Sequence, residues 1–414
     1  MNSSVVAFRT RRAAPALGPA EARERSIRRR VCVAWGLLVL NSLTYYGSVF
    51  HVPHAVGQLV SQGALPVALL VALTVNRRAS VRPNVFLCLV SLLALEAVVT
   101  TLQPHHVGTV YRFFRLVEFV AVLWLLSPWW GRRDLLLVRA YLVSLSVALG
   151  SVILGPLVVP GHAFVEGRLT GAFWVIPATE VGHYGAVAAG LMVVLWLGRV
   201  TSGRAALFAA VAGVAFIVLS HTRTALVGMV AALLVAGLSL IVTRARARKF
   251  FAAAGIVTSI GVMTAAGAAA NWLARGENTS ELSSLTGRTN FWNLVLNMPR
   301  TGFQEIFGFG LSNGSVDGLP IDNNWLTAYL EQGLFGVIVC AVMVLFLLVA
   351  AFFQPPGTRR ALALFLITYC LVASFTQVGF AQPTTYLLEL TLAASLMVPP
   401  VAASPDIMIN NLPN

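Results

Sequence analysis

Apolar residues in this chain come in long unbroken runs, each closed by a short polar segment. The runs lie at about 31–50, 58–75, 84–101, 110–128, 135–155, 179–198, 205–220, 223–242, 251–271, 323–353, 361–378 and 386–402. Each is near the ~20 residues that carry a helix across the hydrocarbon core of a bilayer. The pattern predicts an all-α integral membrane protein with about 12 transmembrane helices. The run from 323 is over-long for one crossing, so its first turns are expected outside the core or in the interface. Between the ninth and tenth helices lies the longest polar interruption, a large outer loop over 272–322. The domain plan is then a disordered basic cytoplasmic tail over 1–30, one polytopic domain over 31–402, and a short cytoplasmic tail over 403–414. The first apolar run follows a long hydrophilic stretch and lacks a small-x-small cleavage site. It is expected to stay as a spanning helix, not to be removed as a signal peptide.

Charge sharpens this picture. Only 11% of the 414 residues are charged and 57% are hydrophobic, too little charge to coat a soluble chain of this length. The net charge of +14 is almost all arginine, with Lys249 the single lysine. These charges sit in short runs between apolar segments, the signature of membrane topology and not of a nucleic-acid groove. No nucleic-acid partner is expected; the lipid bilayer is. With the N-terminus inside, the tail arginines fall inside, together with Arg77, Arg78, Arg82, Arg132, Arg133, Arg139, Arg199, Arg204, Arg244, Arg246, Arg248, Lys249, Arg359 and Arg360. Both termini are then cytoplasmic.

The exceptions are Arg112, Arg115, Arg168, Arg223, Arg275, Arg288 and Arg300. They fall on the outer side, where the positive-inside bias works against them, so each needs a reason. For Arg275 and Arg300 a surface loop charge is sufficient. For those at helix ends or within helices, a partner or an anionic ligand is the stronger reason. Arg112, Arg115 and Glu118 recur every third residue and share one helical face. They form either an ion-pair network with Glu96 of the preceding helix or the charged wall of a ligand cavity. Arg168 lies in an outer connection rich in Gly and Pro. The short Ser220-His221-Thr222-Arg223-Thr224 turn puts Arg223 at the outer end of a helix. Arginine holds phosphate in a planar fork and keeps its charge, so Arg223 and Arg288 are candidate diphosphate clamps. Snorkelling to lipid headgroups is the other reading. All seven histidines fall near outer loops or helix ends without metal-ligand spacing, and the four cysteines lie in apolar runs. No metal site and no cofactor are expected.

Several motifs, in order and on one side, carry a resemblance. They are Ser-His-Thr-Arg-Thr at 220–224, Arg-Leu-Thr-Gly-Ala-Phe at 168–173 with Pro177, and Gly-Arg-Thr-Asn-Phe-Trp at 287–292. Gly-Phe-Gly at 308–310, Asp-Asn-Asn-Trp-Leu at 322–326 and Glu-Gln-Gly-Leu-Phe-Gly at 331–336 complete them. Over residues 165–345 the chain resembles the O-antigen ligase and O-antigen polymerase superfamily. The resemblance implies a metal-independent membrane glycosyltransferase of the bacterial inner membrane, working in cell-surface polysaccharide biosynthesis. Its donor would be a polyprenyl (undecaprenyl- or decaprenyl-type) diphosphate-linked glycan, and its acceptor a hydroxyl of a saccharide or lipid-glycan. The resemblance also implies that Arg223 and Arg288 hold the diphosphate. Ligases of the family typically have His-Asn where this chain has Asp322-Asn323, so Asp322 resembles polymerase-like or divergent members. A carboxylate there can still accept the hydroxyl proton; His221 is the other candidate base, and helix capping is the structural alternative for Asp322. The expected site is thus Asp322, Arg288 and Arg223 for catalysis. Arg112, Arg115, Glu118, Arg168, His221 and Asn323 are expected to bind substrate. The competing function is a secondary transporter or lipid-linked-glycan flippase.

Overall fold

The structure is a computed structural model that describes residues 18–43, 53–101, 107–274, 288–312, 315–316 and 319–399. The described residues are 77% helix with almost no strand. The helices are α1 (Pro19–Ser42), α2 (His54–Val75), α3 (Val85–Thr101), α4 (Val107–Leu126), α5 (Leu136–Val158) and the short α6 (Pro160–Ala163). After these come α7 (Ala178–Leu197), α8 (Gly203–Leu219), α9 (Arg223–Ile241), α10 (Ala245–Ala274), α11 (Arg288–Leu296) and α12 (Gly302–Phe307). The last three are α13 (Asn324–Phe353), α14 (Thr358–Ala373) and α15 (Thr385–Met397). Two short hairpins, β1 (Phe164–Val165) with β2 (Arg168–Leu169) and β3 (Ser315–Val316) with β4 (Leu319–Pro320), and a 3-10 turn at Ser127–Trp129 lie between the helices. Every apolar run overlaps a helix.

Among the described residues, α2, α5, α7, α9 and α13 are long and apolar enough to cross a membrane. Their surroundings agree: Leu207 and Phe208 on α8 are 66% and 76% exposed, and Leu70 on α2 is 62% exposed. Such side chains suit lipid better than water. The chain is a mostly helical, membrane-embedded protein. Close helix approach comes from small residues. A Cβ at Gly213 of α8 would lie 2.6 Å from the carbonyl oxygen of Gly185 on α7.

The connections fall at two ends of the bundle. One end is rich in arginine, and its guanidinium groups serve the carbonyl ends of helices, where both hydrogen bonding and the helix dipole favour a cation. Arg246 donates to Trp196 O at the end of α7 (2.9 Å), Arg248 to Ile241 O of α9 (3.2 Å), and Arg360 to Gln354 O after α13 (3.1 Å). Arg359 donates to Val398 O after α15 (2.7 Å). Ion pairs Arg28–Asp134 (3.0 Å) and Arg132–Glu24 (2.7 Å) tie α1 to the connection before α5. Burial works against the Arg132 charge, but hydrogen bonds to Asp134 and Glu24 outweigh it and raise its pKa. These pairs order a stretch expected to be tail. α1 begins at Pro19, a residue suited to the first helical position, so 19–30 is helical.

The over-long run from 323 resolves into two pieces. Gly333 breaks α13 with φ 63° and ψ −160°, a conformation essentially reserved for glycine. The break is where residues 308–310 dock: Phe309 N–H donates to Leu330 O (2.8 Å) and Gly310 N–H to Glu331 O (2.9 Å). A short helical segment from Asn324 thus precedes the membrane-length helix that follows Gly333.

Candidate functional site

At the end opposite the arginine-rich one, Arg168, His221 and Arg223 meet around one turn. The β1–β2 hairpin turns through Glu166 (φ 51°) and Gly167 (φ 72°), the pair of positive φ values that a two-residue hairpin of right-handed twist requires. It presents Arg168, whose Nε donates to Ser220 O (3.0 Å). The turn from α8 to α9 passes through His221 in the left-handed region (φ 51°). It is fixed to the start of α7 by the Thr222 hydroxyl, which donates to Ala178 O (3.1 Å). Gly182 permits this approach, since a Cβ there would lie 2.7 Å from Ser220 Oγ. The His221 ring stacks on Trp272 of α10, with centroids 6.0 Å apart. Arg223 is the first residue of α9. A helix N-terminus disfavours a cation and favours an anion, so an arginine there gains most when an anion joins it.

The turn at 374–376, after α14, links this group to the start of α13. Thr376 Oγ1 lies 2.8 Å from Thr224 Oγ1 on α9. From the other side Asn324 N–H donates to Ser374 O (2.9 Å), the Trp325 indole N–H to Ser374 Oγ (3.0 Å) and Asn323 Nδ2 to Phe375 O (3.4 Å). The starts of α9 and α13 are therefore fastened to the same three residues. Half-buried Asp322 precedes α13 on one side of that turn, and Arg223 opens α9 on the other. The helix cap is Asn323 and not Asp322: Asn323 Oδ1 accepts from Trp325 N (2.9 Å) and Leu326 N (3.1 Å), the usual work of an Asn N-cap. Asn324 Oδ1 accepts from Gly379 N and Phe380 N (3.1 and 2.8 Å), so this motif builds the local backbone.

Arg288 falls on α11, and its guanidinium lies outside what is described, as do Arg275, Gly287 and Asp317. α11 is seated next to Asp322 through a small apolar cluster of Val295, Ile321 and Leu330. Arg300 has a structural reason for being there. It donates to Val295 O (3.0 Å) and Tyr329 O (3.3 Å), and its guanidinium sits 3.9 Å from the Tyr329 ring centroid.

Arg112, Arg115 and Glu118 are not brought to the turn at 220–223. They lie half-buried on α4, which packs mainly on α2 and α3, whereas α9 packs on α14 and α7. Arg115 donates to Asn41 Oδ1 (2.7 Å) and Asn41 O (3.1 Å) on α1. Glu96, expected to partner this face, lies instead against Gln332 and Glu331 of α13. Glu331 is itself buried, accepting from Ser312 N and Oγ (2.9 and 2.7 Å) and from Gln382 Nε2 (2.7 Å).

Sequence reasoning missed a second cluster in the bundle core. His183 Nε2 of α7 lies 3.0 Å from Glu389 Oε1 of α15, and its Nδ1 lies 3.0 Å from Tyr369 Oη of α14. Tyr141 of α5 donates to Glu389 Oε1 (2.6 Å), and Cys370 Sγ lies 3.3 Å from Oε2. His183 and Glu389 are 1% and 0% exposed. Glu389 is a carboxylate inside an apolar run, and an ionisable residue at membrane depth is by itself a signal. Among the described residues no three His, Cys, Asp or Glu side chains are placed to hold a metal ion.

No protein-family model matches the chain, and neither does any curated protein.

Proposed function

We propose that this protein is a membrane glycan transferase of the O-antigen ligase or polymerase type. It would move an oligo- or polysaccharide from a polyprenyl diphosphate carrier to an acceptor hydroxyl at the outer face of the bacterial inner membrane. The observation that carries the reading is the fastening of the Arg223 and Asp322 helix starts to one turn, with Arg168 and His221 beside Arg223. In the reaction the acceptor oxygen attacks the anomeric carbon and the bond from that carbon to the diphosphate oxygen breaks. The electron pair leaves with the diphosphate, whose growing charge Arg223 and Arg288 neutralise. Asp322 takes the acceptor proton, and the configuration inverts. Arg168 is a further charge on the diphosphate side.

The test is purified protein in proteoliposomes with a lipid-linked saccharide, measuring release of polyprenyl diphosphate. Removing one preorganised donor to a developing anion costs about 10²–10³ in rate. Arg223→Ala and Arg288→Ala are each expected to lose that much release while still inserting as monodisperse protein. Full activity in either variant removes that arginine from the clamp. The second reading, a transporter or flippase, is favoured by the buried His183–Glu389–Tyr141 cluster, since charge at membrane depth often marks a transport path. Vectorial movement of the lipid-linked saccharide with its glycosyl–phosphate bond intact is the result that selects it.

A further inference from the structure

At the arginine-rich end a cavity of about 310 Å³ lies between the α2–α3 connection, Trp130 and the last turns of α13 and α15. Arg82 and Asn84 are the polar side chains beside it. Arg82 Nη1 donates to Trp130 O (3.1 Å), which leaves most of its N–H fork for other acceptors. Among the described residues no carboxylate lies within ion-pair reach of Arg82, in contrast to Arg28 and Arg132. Trp130 is 1% exposed, and its indole N–H is buried without a hydrogen-bond partner. The Asn84 oxygen accepts from Phe86 N (2.8 Å), and its amide NH₂ is a further donor. Burial also pushes the Arg82 pKa down from its ordinary value, a cost that a bound anion relieves.

The rest of the lining is apolar, from Phe346 and Ala350 of α13 and Ala394 and Met397 of α15. The wall is held in place. Gly131 N–H donates to Ser395 O (3.0 Å), Arg359 holds Val398 O (2.7 Å), and Gly131 has φ 75° with no room for a Cβ beside Pro399 O. Outside the cavity, α13 presents Val342, Leu345, Val349 and Phe352, all exposed and on one face by their spacing.

We propose that this cavity binds the phosphate headgroup of an anionic glycerophospholipid from the leaflet at the arginine-rich end, with an acyl chain lying along the exposed face of α13. The Arg82 fork and the Asn84 amide, with no facing carboxylate, select a phosphodiester oxygen. The missing counter-charge selects a net anionic headgroup. The apolar wall and the adjoining α13 stripe select an attached hydrocarbon chain over a free anion. This inference stands independently of the glycan-transfer reading.

The experiment is native mass spectrometry of the full chain in detergent, titrated with phosphatidylglycerol, phosphatidylcholine of the same chain length, or inorganic phosphate. Phosphatidylglycerol is expected to bind at least tenfold tighter than phosphatidylcholine and to resist displacement by millimolar phosphate. Arg82→Gln and Ala350→Phe are each expected to weaken it at least tenfold. Ala350→Phe fills the cavity from the α13 side and leaves the Arg82 hydrogen bonds alone, so its loss is separate from any misassembly of the 82–84 connection. Equal binding of the two lipids, wild-type binding in Ala350→Phe, or displacement by phosphate alone overturns the proposal. So does binding that occurs only after residues 400–414 are deleted, which assigns the cavity to the chain's own tail.

Discussion

Asn323 places its side-chain oxygen on the N–H groups of Trp325 and Leu326, and its amide on Phe375 O. Asp322, one residue earlier, is half-buried and does not cap the helix. The two neighbours should therefore fail in different ways. Asn323→Ala removes an N-cap and is expected to cost about 1 kcal/mol, read as a lower melting temperature in detergent. Asp322→Ala is expected to lose turnover in the polyprenyl diphosphate release assay. Wild-type turnover in Asp322→Ala removes the carboxylate from the reaction. The sequence marked this motif, but not which residue capped, because adjacent Asp and Asn are equally good caps by type. Only side-chain geometry separates them. The His183–Glu389 cluster was less legible still. Tyr141 and Glu389 are 248 residues apart, and the partners arrive from four helices, so no local spacing announces them.

At the scale of elements, the long run from 323 was legible as too long for one crossing, and the physical reason is Gly333. Its φ of 63° with ψ −160° is closed to side chains. A Cβ there would also run into the backbone of Ile306 and Gly308. Gly308 faces the same problem from the other side, with φ 75° and the Glu331–Gln332 peptide against it. The glycines Gly308 and Gly333 thus exist for each other, as a back-to-back contact of the 308–310 segment on the broken helix. Gly333→Ala combines backbone strain of about 1–3 kcal/mol with a steric clash. It is expected to lower the melting temperature sharply and to release the 302–312 segment to limited proteolysis. A Cβ at Gly336 would run into Gln332 Cβ, an atom the backbone fixes, so Gly336→Ala is expected to lower the melting temperature as well. Equal melting temperatures for Gly333→Ala and wild type exclude the break as a structural requirement.

For the whole molecule, the two ends of the bundle are chemically distinct. One carries Arg28, Arg82, Arg132, Arg246 and Arg359 on helix carbonyls and carboxylates. The other carries the Arg168–Ser220 contact and the 374–376 turn. The core between them holds a buried His–Glu–Tyr cluster, whose pieces are costly to separate because each leaves the others unpaired at low dielectric. This polarity makes orientation a prediction with a definite sign. Arginine in short connections is retained on the cytoplasmic side, so the arginine-rich end should face inward and the Arg223 turn outward. Ser80 and Glu166 are exposed positions at opposite ends. In a background with the four native cysteines replaced, Glu166→Cys is expected to react in intact cells with a membrane-impermeant maleimide, and Ser80→Cys only after lysis. The reverse pattern would put the Arg223 turn in the cytoplasm. A transferase that draws glycan from the outer face could not work there, and the glycan-transfer reading would fall with it.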